Sequence, residues 1–423
     1  MTPSDAPVSR NTRSGGRHRV VIGGGGVAGL EALLGLHELA RDRVHLTLVD
    51  PRPEFIYKPQ LVEEPFALGP AERHELAPIA KELGARFILG AIRAVEPQSA
   101  AVELEDGSRI SYDSLVVCVG ASGRPAFQAA TTFPRPDSPF RIDELLGRSE
   151  GPLRIAFVVP SGVTWALPIY ELALMTERRA RDLHRSEVEC VIVTPEAAPL
   201  IMFGPAASDA VTGLLAARGI ECESGAYVRE SDSGVITLCP ADRELGADAI
   251  VAMPLLEGPA LPGLPSDDGG FIPIDGHARV AGAEGVYAAG DGANFPIKQG
   301  GIGTQQADAA VEHIARRAGA DVEPQPFHPV LRGMLLTGAG SMHMRHAITG
   351  CGGEGAASSD YLWWPPHKIA SRYLSAWLAH EDPRQDPEPP RIPLDVEVAL
   401  PSEWHEDPML LDPYLRLGRD SLP

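Results

Sequence analysis

The sequence has no long apolar run and is poor in basic residues. No apolar stretch reaches the roughly 18 residues that a membrane-spanning helix needs, so the sequence predicts no such helix. The 37 Lys and Arg are outnumbered by 57 Asp and Glu, giving a formal net charge of -20. This charge argues against nucleic acid and against an anionic membrane surface as partners. Residues 1–18 lack the apolar core of a secretory signal, so we expect a disordered tail and a cytoplasmic protein.

The chain also lacks paired cysteines. Its five cysteines are Cys118, Cys190, Cys222, Cys239 and Cys351. They include no C-x-x-C or C-x-x-x-x-C redox pair, and no Cys/His set has zinc spacing, so we expect no metal site. Cys351 lies in a glycine-rich loop, where both an inert and a reactive thiol stay open, because reactivity depends on an electropositive setting.

Glycine is abundant, and the chain is organised around one glycine turn. Gly24, Gly26 and Gly29 have the spacing G-x-G-x-x-G between an apolar strand at 20–22 and a helical pattern from about 30. The first glycine permits a tight turn, the second leaves room for a pyrophosphate, and the third lets the helix pack on the strand. The N–H groups at the start of that helix also favour phosphate.

An acid follows this turn at the distance a dinucleotide site requires. A second apolar strand, 44–49, ends at Asp50, about 20 residues after the last glycine. A carboxylate there accepts from the ribose hydroxyls and disfavours a 2′-phosphate, so FAD or NAD fits better than NADP. A plain βαβ unit with a solvated Asp50 is the alternative.

The order of strands and helices predicts an internal duplication. A strand–helix–strand unit followed by a β-meander occurs at 19–121 and again at 153–254. The fold class we predict is α/β, with two Rossmann-like dinucleotide-binding domains, of FAD and NAD type, each with a β-meander, plus a C-terminal region. The expected boundaries are 1–18 for the tail, 19–150 and 263–326 for the two parts of the FAD domain, 151–262 for the NAD-type domain, and 327–423 for the C-terminal region.

Three marks together resemble the two-dinucleotide-binding-domain flavoproteins of the pyridine nucleotide-disulfide oxidoreductase superfamily. They are the glycine turn with Asp50, the strand that ends at Val119-Gly120-Ala121, and the strand that ends at Ala289-Gly290-Asp291. Within that group the chain looks most like the type II NADH dehydrogenases and the sulfide:quinone oxidoreductases, through residues 296–301, 305–310 and 363–368.

The resemblance implies FAD as cofactor and assigns residues to it. Asp291 would bind the ribityl or pyrophosphate part, Ile92 would make a backbone contact near the adenine, and Lys298 would lie near the pyrimidine edge of the flavin. Gln305 and Gln306 would orient the acceptor and, with Lys298, form the catalytic set. The full set of expected cofactor residues is Gly24, Gly26, Val27, Ala28, Gly29, Asp50, Lys58, Ile92, Gly120, Ala121, Gly290, Asp291, Lys298 and Gln299.

The second dinucleotide turn departs from the family pattern. Between 159 and 168 only Gly162 remains, and Trp165 and Pro168 would crowd a pyrophosphate there. Glu171 stands where the NADH enzymes have an acid, so Gly162 and Glu171 are the expected donor-binding residues, with NADH as co-substrate. The alternative for Glu171 is a pair with an arginine that only holds the helix.

Two further departures limit the resemblance. The sulfide:quinone enzymes need a cysteine pair at the flavin, and the position near Trp165 has none, so sulfide oxidation by that route is not expected. The acidic, proline-rich tail lacks the basic face of an interfacial helix, so the sequence does not support a membrane anchor.

The sequence therefore favours an FAD-dependent oxidoreductase that passes electrons from a small-molecule donor, with NADH first, to a quinone-like or other small acceptor. One alternative keeps the flavin without nicotinamide, using a specialised substrate held by 51–70 and Trp363-Trp364. The other is a non-enzymatic flavoprotein that binds a partner through its acidic C-terminal region. The oligomeric state stays open, with a homodimer as one option.

Overall fold

Parallel sheets form the framework of this chain, for which a computed structural model describes residues 16–134, 140–147, 151–230, 235–347 and 355–381. The first part begins with the predicted strand, glycine turn and helix. Its elements are β1 (His18–Gly23), α1 (Val27–Ala40), β2 (Val44–Asp50), β3 (Glu54–Ile56), β4 (Arg73–Glu75), α2 (Leu76–Glu82), β5 (Arg86–Leu89), β6 (Ile92–Glu96), β7 (Ala101–Leu104), β8 (Arg109–Ser111) and β9 (Ser114–Val117).

The second part repeats this order. Its elements are β10 (Ser122–Arg124), β11 (Thr131–Thr132), α3 (Ile142–Leu146), β12 (Leu153–Val158), α4 (Leu167–Asp182), β13 (Val188–Thr194), α5 (Pro205–Ala217), β14 (Glu221–Ser224), β15 (Tyr227–Glu230), β16 (Ile236–Cys239), β17 (Arg243–Glu244), β18 (Ala249–Ala252) and β19 (Leu255–Glu257).

The third part returns to the first sheet and then forms a small antiparallel sheet of its own. Its elements are β20 (Val286–Ala288), α6 (Gly300–Arg317), β21 (Val330–Leu336), β22 (Ser341–Ala347), β23 (Gly355–Ser358) and α7 (Leu374–Glu381).

Two five-stranded parallel sheets confirm the predicted α/β class. The first has the order β20-β9-β1-β2-β5, and the second has the order β11-β18-β12-β13-β14. An antiparallel meander is inserted into each sheet along the chain: β6-β7-β8 lies between β5 and β9, and β15-β16-β17 lies between β14 and β18. Strands covered on both faces read as continuous apolar runs, which is why β1, β9 and β12 are so apolar in sequence.

Alternate residues of each central strand face different layers of the core. Val20 and Ile22 of β1 pack with α1 and α6, whereas Val21 packs with the first meander. In β12, Ile155 and Phe157 likewise face α4. Because the strands of each sheet are parallel, their carboxyl ends lie at one edge of that sheet. Parallel α/β sheets bind their ligands at this edge.

Several element boundaries differ from the sequence expectation. The prolines and aromatics of 51–70 predict an irregular loop, but this segment contains β3 and a 3-10 helix, Lys58–Phe66. The sequence pattern predicts a helix over 304–317, and that helix begins at Gly300, because Gln299 caps it by accepting from the Ile302 N–H. A further helix, predicted near 367–379, begins only at Leu374, and 359–373 form an irregular connection.

None of the helices in the described ranges is long and apolar enough to span a bilayer. No group of three His, Cys, Asp or Glu side chains in these ranges could hold a metal ion. Cys351 and the acidic tail lie outside the described residues, as does most of the expected N-terminal tail.

Candidate functional site

The glycine turn has the geometry that its spacing predicts. Gly24 has φ +105°, and a Cβ there would lie 2.2 Å from the Cys118 carbonyl oxygen. A Cβ on Gly29 would lie 1.8 Å from the Gly24 oxygen, so α1 approaches the turn too closely for any side chain. A Cβ on Gly26 would meet no atom within 4 Å and would project into open space.

Asp50 closes the turn from the end of β2. Its Oδ2 accepts from the Gly25 N–H at 2.6 Å, and its Oδ1 accepts from the Arg52 N–H at 2.8 Å. The carboxylate is almost fully buried, and Oδ1 also lies 3.5 Å from Arg52 Nε, whereas Oδ2 accepts only from the Gly25 N–H and keeps acceptor capacity. Asp50 can therefore brace the turn and still accept from ribose hydroxyls.

A cavity of about 1650 Å³ runs from this turn between the two sheets. It brings together most of the residues that the sequence selected. Those that line it are Gly26, Val27, Ala28, Asp50, Lys58, Gly120, Ala121, Gly162, Glu171, Gly290, Asp291, Lys298 and Gln299.

Asp291 and Lys298 both line this cavity, and their side chains attract each other electrostatically. Burial raises the pKa of Asp291, and the charges of Lys298 and Lys58 oppose that rise. Burial lowers the pKa of Lys298 to about 8, against the attraction of Asp291 and Asp267. The Lys298 ammonium donates to the Ala293 carbonyl and lies 3.7 Å from the centroid of the Phe271 ring.

Glu171 is held by a lysine of the C-terminal region. Lys368 Nζ lies 2.8 Å from both carboxylate oxygens, and the Leu336 N–H donates to Oε1 at 2.9 Å. The Glu171 side chain is 1% exposed, and burial raises its pKa while Lys368 opposes the rise. The expected free carboxylate for a nicotinamide ribose is thus engaged in a buried ion pair, with lysine in place of the arginine considered from sequence.

Five expected site residues do not line the cavity: Gly24, Gly29, Ile92, Gln305 and Gln306. Both glycines contact backbone atoms of the turn or of the adjacent strand instead of the cavity. Ile92 packs on Gly23, where an added Cβ would lie 2.3 Å from Ile92 Cδ1. The two glutamines hydrogen-bond to main-chain groups.

Gln305 and Gln306 use their amides to fix main-chain segments. Gln305 accepts from the Val330 N–H at 2.8 Å and donates to the Val330 carbonyl at 3.0 Å, which ties α6 to β21. Gln306 accepts from the Gly290 N–H at 2.8 Å. Gln305 thus supports β21, and Gln306 supports the turn that carries Asp291. That they orient an acceptor stays a prediction.

The second dinucleotide turn is rebuilt, as its sequence indicated. Gly162 has φ +86°, and the Thr164 hydroxyl donates to the Pro296 carbonyl at 2.5 Å, which joins this turn to the first unit. Trp165 packs edge-on against Phe203 with ring centroids 5.7 Å apart. Pro168 stands at the second position of α4 and has no N–H to offer a phosphate.

Two cavity residues of the connection 359–373 were missed from sequence, which offered only Trp363-Trp364 of this segment as a substrate contact in one alternative. Lys368 and Ile369 line the cavity, and the Ile369 N–H donates to the Tyr57 hydroxyl at 2.9 Å. The only signal in the sequence was the likeness of 363–368 to a C-terminal segment of related flavoproteins. That likeness does not say which atoms these residues contact.

The comparison with known families decides the class. The model of the pyridine nucleotide-disulphide oxidoreductase family matches residues 17–313. The chain belongs to this family. It is therefore an oxidoreductase of the two-domain flavoprotein fold, and FAD is its cofactor.

Individual members of the family are distant from this chain. Type II NADH:quinone oxidoreductase NdhA of Mycobacterium tuberculosis is 28% identical over 372 residues, 76% of this chain and 77% of that protein. Sulfide-quinone reductase of Aquifex aeolicus is 29% identical over 194 residues, 43% of each chain. The solved structure of the sulfide:quinone oxidoreductase from Aquifex aeolicus superposes with a TM-score of 0.69 at 19% identity, covering 81% of this chain and 87% of that one.

The cavity of this pyridine nucleotide-disulphide oxidoreductase fits FAD on three observations. Gly26 leaves its Cβ position open at the N-terminus of α1, where N–H groups face a pyrophosphate. Asp50 retains acceptor capacity for a ribose. Asp291 lies in the cavity wall where burial disfavours its charge, so a hydroxyl of the ligand would stabilise it.

Proposed function

We propose that this chain passes electrons from a small-molecule donor, with NADH as the first candidate, through FAD to a quinone-like acceptor. The proposal is supported by the activities of similar proteins, which include an NADH:quinone oxidoreductase and a sulfide-quinone reductase. The observation that carries it is the Glu171–Lys368 ion pair in the wall of the flavin cavity.

The lining of the cavity suits a flat conjugated acceptor. Apolar side chains also line this cavity, and they include Leu61, Val62, Phe133, Trp165, Met253 and Phe295. Pockets for such molecules are mostly apolar with a few placed polar groups. A quinone ring would be desolvated there, and its oxygens would depend on the protein for protons.

Lys368 can supply a proton to a quinone. FAD supplies two electrons and one proton as a hydride equivalent, so a quinone needs one further proton to become a quinol. Lys368 Nζ can donate that proton to a quinone oxygen, while the Glu171 carboxylate, 2.8 Å from Nζ, orients the ammonium. A proton from solvent then restores the ammonium.

Lys298 would favour the reduced cofactor. Its ammonium sits beside Asp291 in the cavity wall. A fixed positive charge stabilises negative charge that develops nearby in a water-excluded site. We therefore assign Lys298 the electrostatic role that the sequence expectation gave it, near the pyrimidine edge of the flavin.

One observation favours a second candidate, in which the donor is not a nicotinamide. The turn before α4 is joined to Pro296 by Thr164, carries Trp165, and leads into a helix with Pro168 near its start. These features reduce the N–H groups and the space available to a second pyrophosphate. A small reductant without a nucleotide tail would then reach the flavin through the cavity itself.

Anaerobic stopped-flow mixing separates the donor and acceptor halves of the proposal, because single-turnover work resolves steps that steady state merges. We expect NADH to bleach the flavin of the wild type, and a soluble quinone to restore its absorbance. Lys368→Met should leave bleaching near normal and slow reoxidation by about 100-fold, the lower range for loss of a general acid. Lys81→Met, an exposed lysine of α2, is the matched control.

Different results contradict the donor half-reaction and the acceptor half-reaction. No bleaching by NADH in the wild type defeats the nicotinamide half and supports the second candidate, to be followed by a screen of small reductants. Reoxidation of Lys368→Met at the wild-type rate defeats the role of the ion pair. Glu171→Gln should follow Lys368→Met rather than slow the donor step.

A further inference from the structure

The strand ends of the first and second units carry matching backbone hydrogen bonds. The Gly24 N–H donates to the Val49 carbonyl at 2.7 Å, and the Val159 N–H donates to the Val193 carbonyl at 2.9 Å. Each bond joins the residue just after the first strand of its unit to the penultimate residue of the second strand. The last residues of β2 and β13 are therefore equivalent positions of the duplicated unit.

This position carries an acid in the first unit and a hydroxyl in the second. β2 ends at Asp50, which accepts from the Gly25 N–H at 2.6 Å, whereas β13 ends at Thr194. The counterpart of Gly25 is Pro160, which has no N–H to donate to a carboxylate at the strand end. An acid at the strand end accepts from the ribose hydroxyls of a dinucleotide. The second unit therefore lacks the ribose acceptor that the first unit has.

Glu196, the carboxyl group two residues further along the chain, is engaged inside the protein. Its Oε2 accepts from the Tyr170 hydroxyl at 2.8 Å and from the Thr194 hydroxyl at 2.9 Å. The Tyr170 and Thr194 side chains are fully buried, and burial raises the pKa of Glu196 to about 7. None of these three residues lines the cavity. Glu196 therefore satisfies two buried hydroxyl groups and does not replace the missing ribose acceptor.

The turn before α4 is also longer than its counterpart before α1. Three residues, 24–26, separate β1 from α1, whereas eight residues, 159–166, separate β12 from α4. Residues 161–165 of this longer turn line the cavity, and the Thr164 hydroxyl fixes them to the Pro296 carbonyl. Side chains therefore occupy the cavity wall before α4, where the first unit leaves an open glycine before α1.

We propose that Tyr170, Thr194 and Glu196 close the adenosine subsite of the second unit, so that the donor is recognised by its redox ring at the flavin and not by an adenylate group. The donor class rests on the function proposed above, whereas the closed subsite is a property of β13 and α4 alone. A dihydronicotinamide still loses one hydride to FAD and leaves as the oxidised nicotinamide. Because no acid at the strand end accepts from a 2′-hydroxyl or repels a 2′-phosphate, NADH, NADPH and reduced nicotinamide mononucleotide are equivalent donors.

Calorimetric titration of the FAD-loaded chain with ADP-ribose tests the closed subsite without any electron transfer. ADP-ribose carries the adenosine and the pyrophosphate of NADH but no nicotinamide, and the bound FAD already occupies the first unit. We expect no saturable binding up to about 1 mM ADP-ribose, because weaker recognition than this contributes little to the choice of a donor. Saturable binding within that range overturns the proposal.

Anaerobic flavin bleaching by NADH, NADPH and reduced nicotinamide mononucleotide tests the donor class. We expect the three second-order rate constants of the wild type to agree within about tenfold, because the adenylate group adds no selective contact. A larger preference for NADH over either of the others overturns the proposal. If none of the three bleaches the flavin, the nicotinamide half of the proposed function fails, and the titration with ADP-ribose still decides whether the subsite is closed.

Variants show whether the donor reaches the residues of the closed subsite. Thr194→Val removes the hydroxyl, and Glu196→Gln removes the charge. Neither should change the ratio of the rate constants for NADH and reduced nicotinamide mononucleotide by more than about threefold, even where stability falls. Asp50→Asn, at the equivalent position of the first unit, should lower the flavin content of the purified protein. A larger loss confined to NADH in Thr194→Val or Glu196→Gln would mean that these residues bind the donor, which contradicts the closure.

Discussion

At the scale of single residues, Gly26 is the position where an added side chain should most weaken FAD binding. It lines the cavity and its Cβ direction is open, whereas Gly24 and Gly29 are enclosed by backbone. Gly26→Val should therefore fold and lose FAD, because the branched side chain fills the space of the pyrophosphate. We expect at least about 100-fold weaker binding, or about 2.7 kcal/mol, measured by the flavin content of the purified protein and by FAD titration.

Gly213 supplies the control for that substitution. It lies in α5, and a Cβ there also meets no atom within 4 Å. Gly213→Val introduces the same side chain away from the cavity and should retain its flavin. Equal flavin content in the two variants would mean that Gly26 does not face the cofactor.

At the scale of secondary structure, Glu171 of α4 is held to the connection 359–373 by one buried ion pair with Lys368. Either single change, Glu171→Gln or Lys368→Met, should reduce the free energy of unfolding, because it leaves the other group buried without its partner. Such losses are typically about 3–5 kcal/mol. The double variant should recover most of the loss, because a neutral pair needs no compensation. Denaturant unfolding of the four proteins gives the coupling energy.

A strictly additive cycle would contradict this account of the pair. Removal of a surface ion pair gives the comparison for the change in the free energy of unfolding. Arg178 and Asp182 form an exposed pair one turn apart on the same helix, 3.0 Å between Arg178 Nε and Asp182 Oδ1. Removing it should change the stability by less than about 1 kcal/mol.

At the scale of the whole molecule, the cofactor cavity joins the two parallel sheets. Its lining includes Ala28 next to the first sheet, Thr164 next to the second, and Lys368 from the connection 359–373. FAD should therefore increase the free energy of unfolding of the whole chain, by about 2.7 kcal/mol at a free concentration 100 times its dissociation constant. The melting temperature of FAD-stripped protein should rise with each tenfold increase in added FAD.

Differential scanning fluorimetry over a range of FAD concentrations checks this expectation. The Gly26→Val variant is the matched control and should not respond to added FAD. A melting temperature of the wild type that is independent of FAD would contradict the placement of the cofactor between the two sheets.

The local features of this protein were predictable from sequence because they depend on neighbours along the chain. The strand before the glycine turn, the turn, α1 and Asp50 lie within 33 residues of one another, and each requirement is set by backbone geometry or by helical and strand periodicity. The duplication of strand, helix and meander follows from the same periodicities. They were enough to predict the α/β class and a minority of the residues that line the cavity.

The tertiary structure decided what the polar side chains of the site do. Glu171 could be read from sequence as a nucleotide ligand, and Gln305 as an acceptor ligand. Packing placed Lys368 against Glu171 across 197 residues, and it placed the Val330 backbone against Gln305. Long-range partners of this kind are chosen by which side chains share a buried volume, and local periodicity carries no information about that choice.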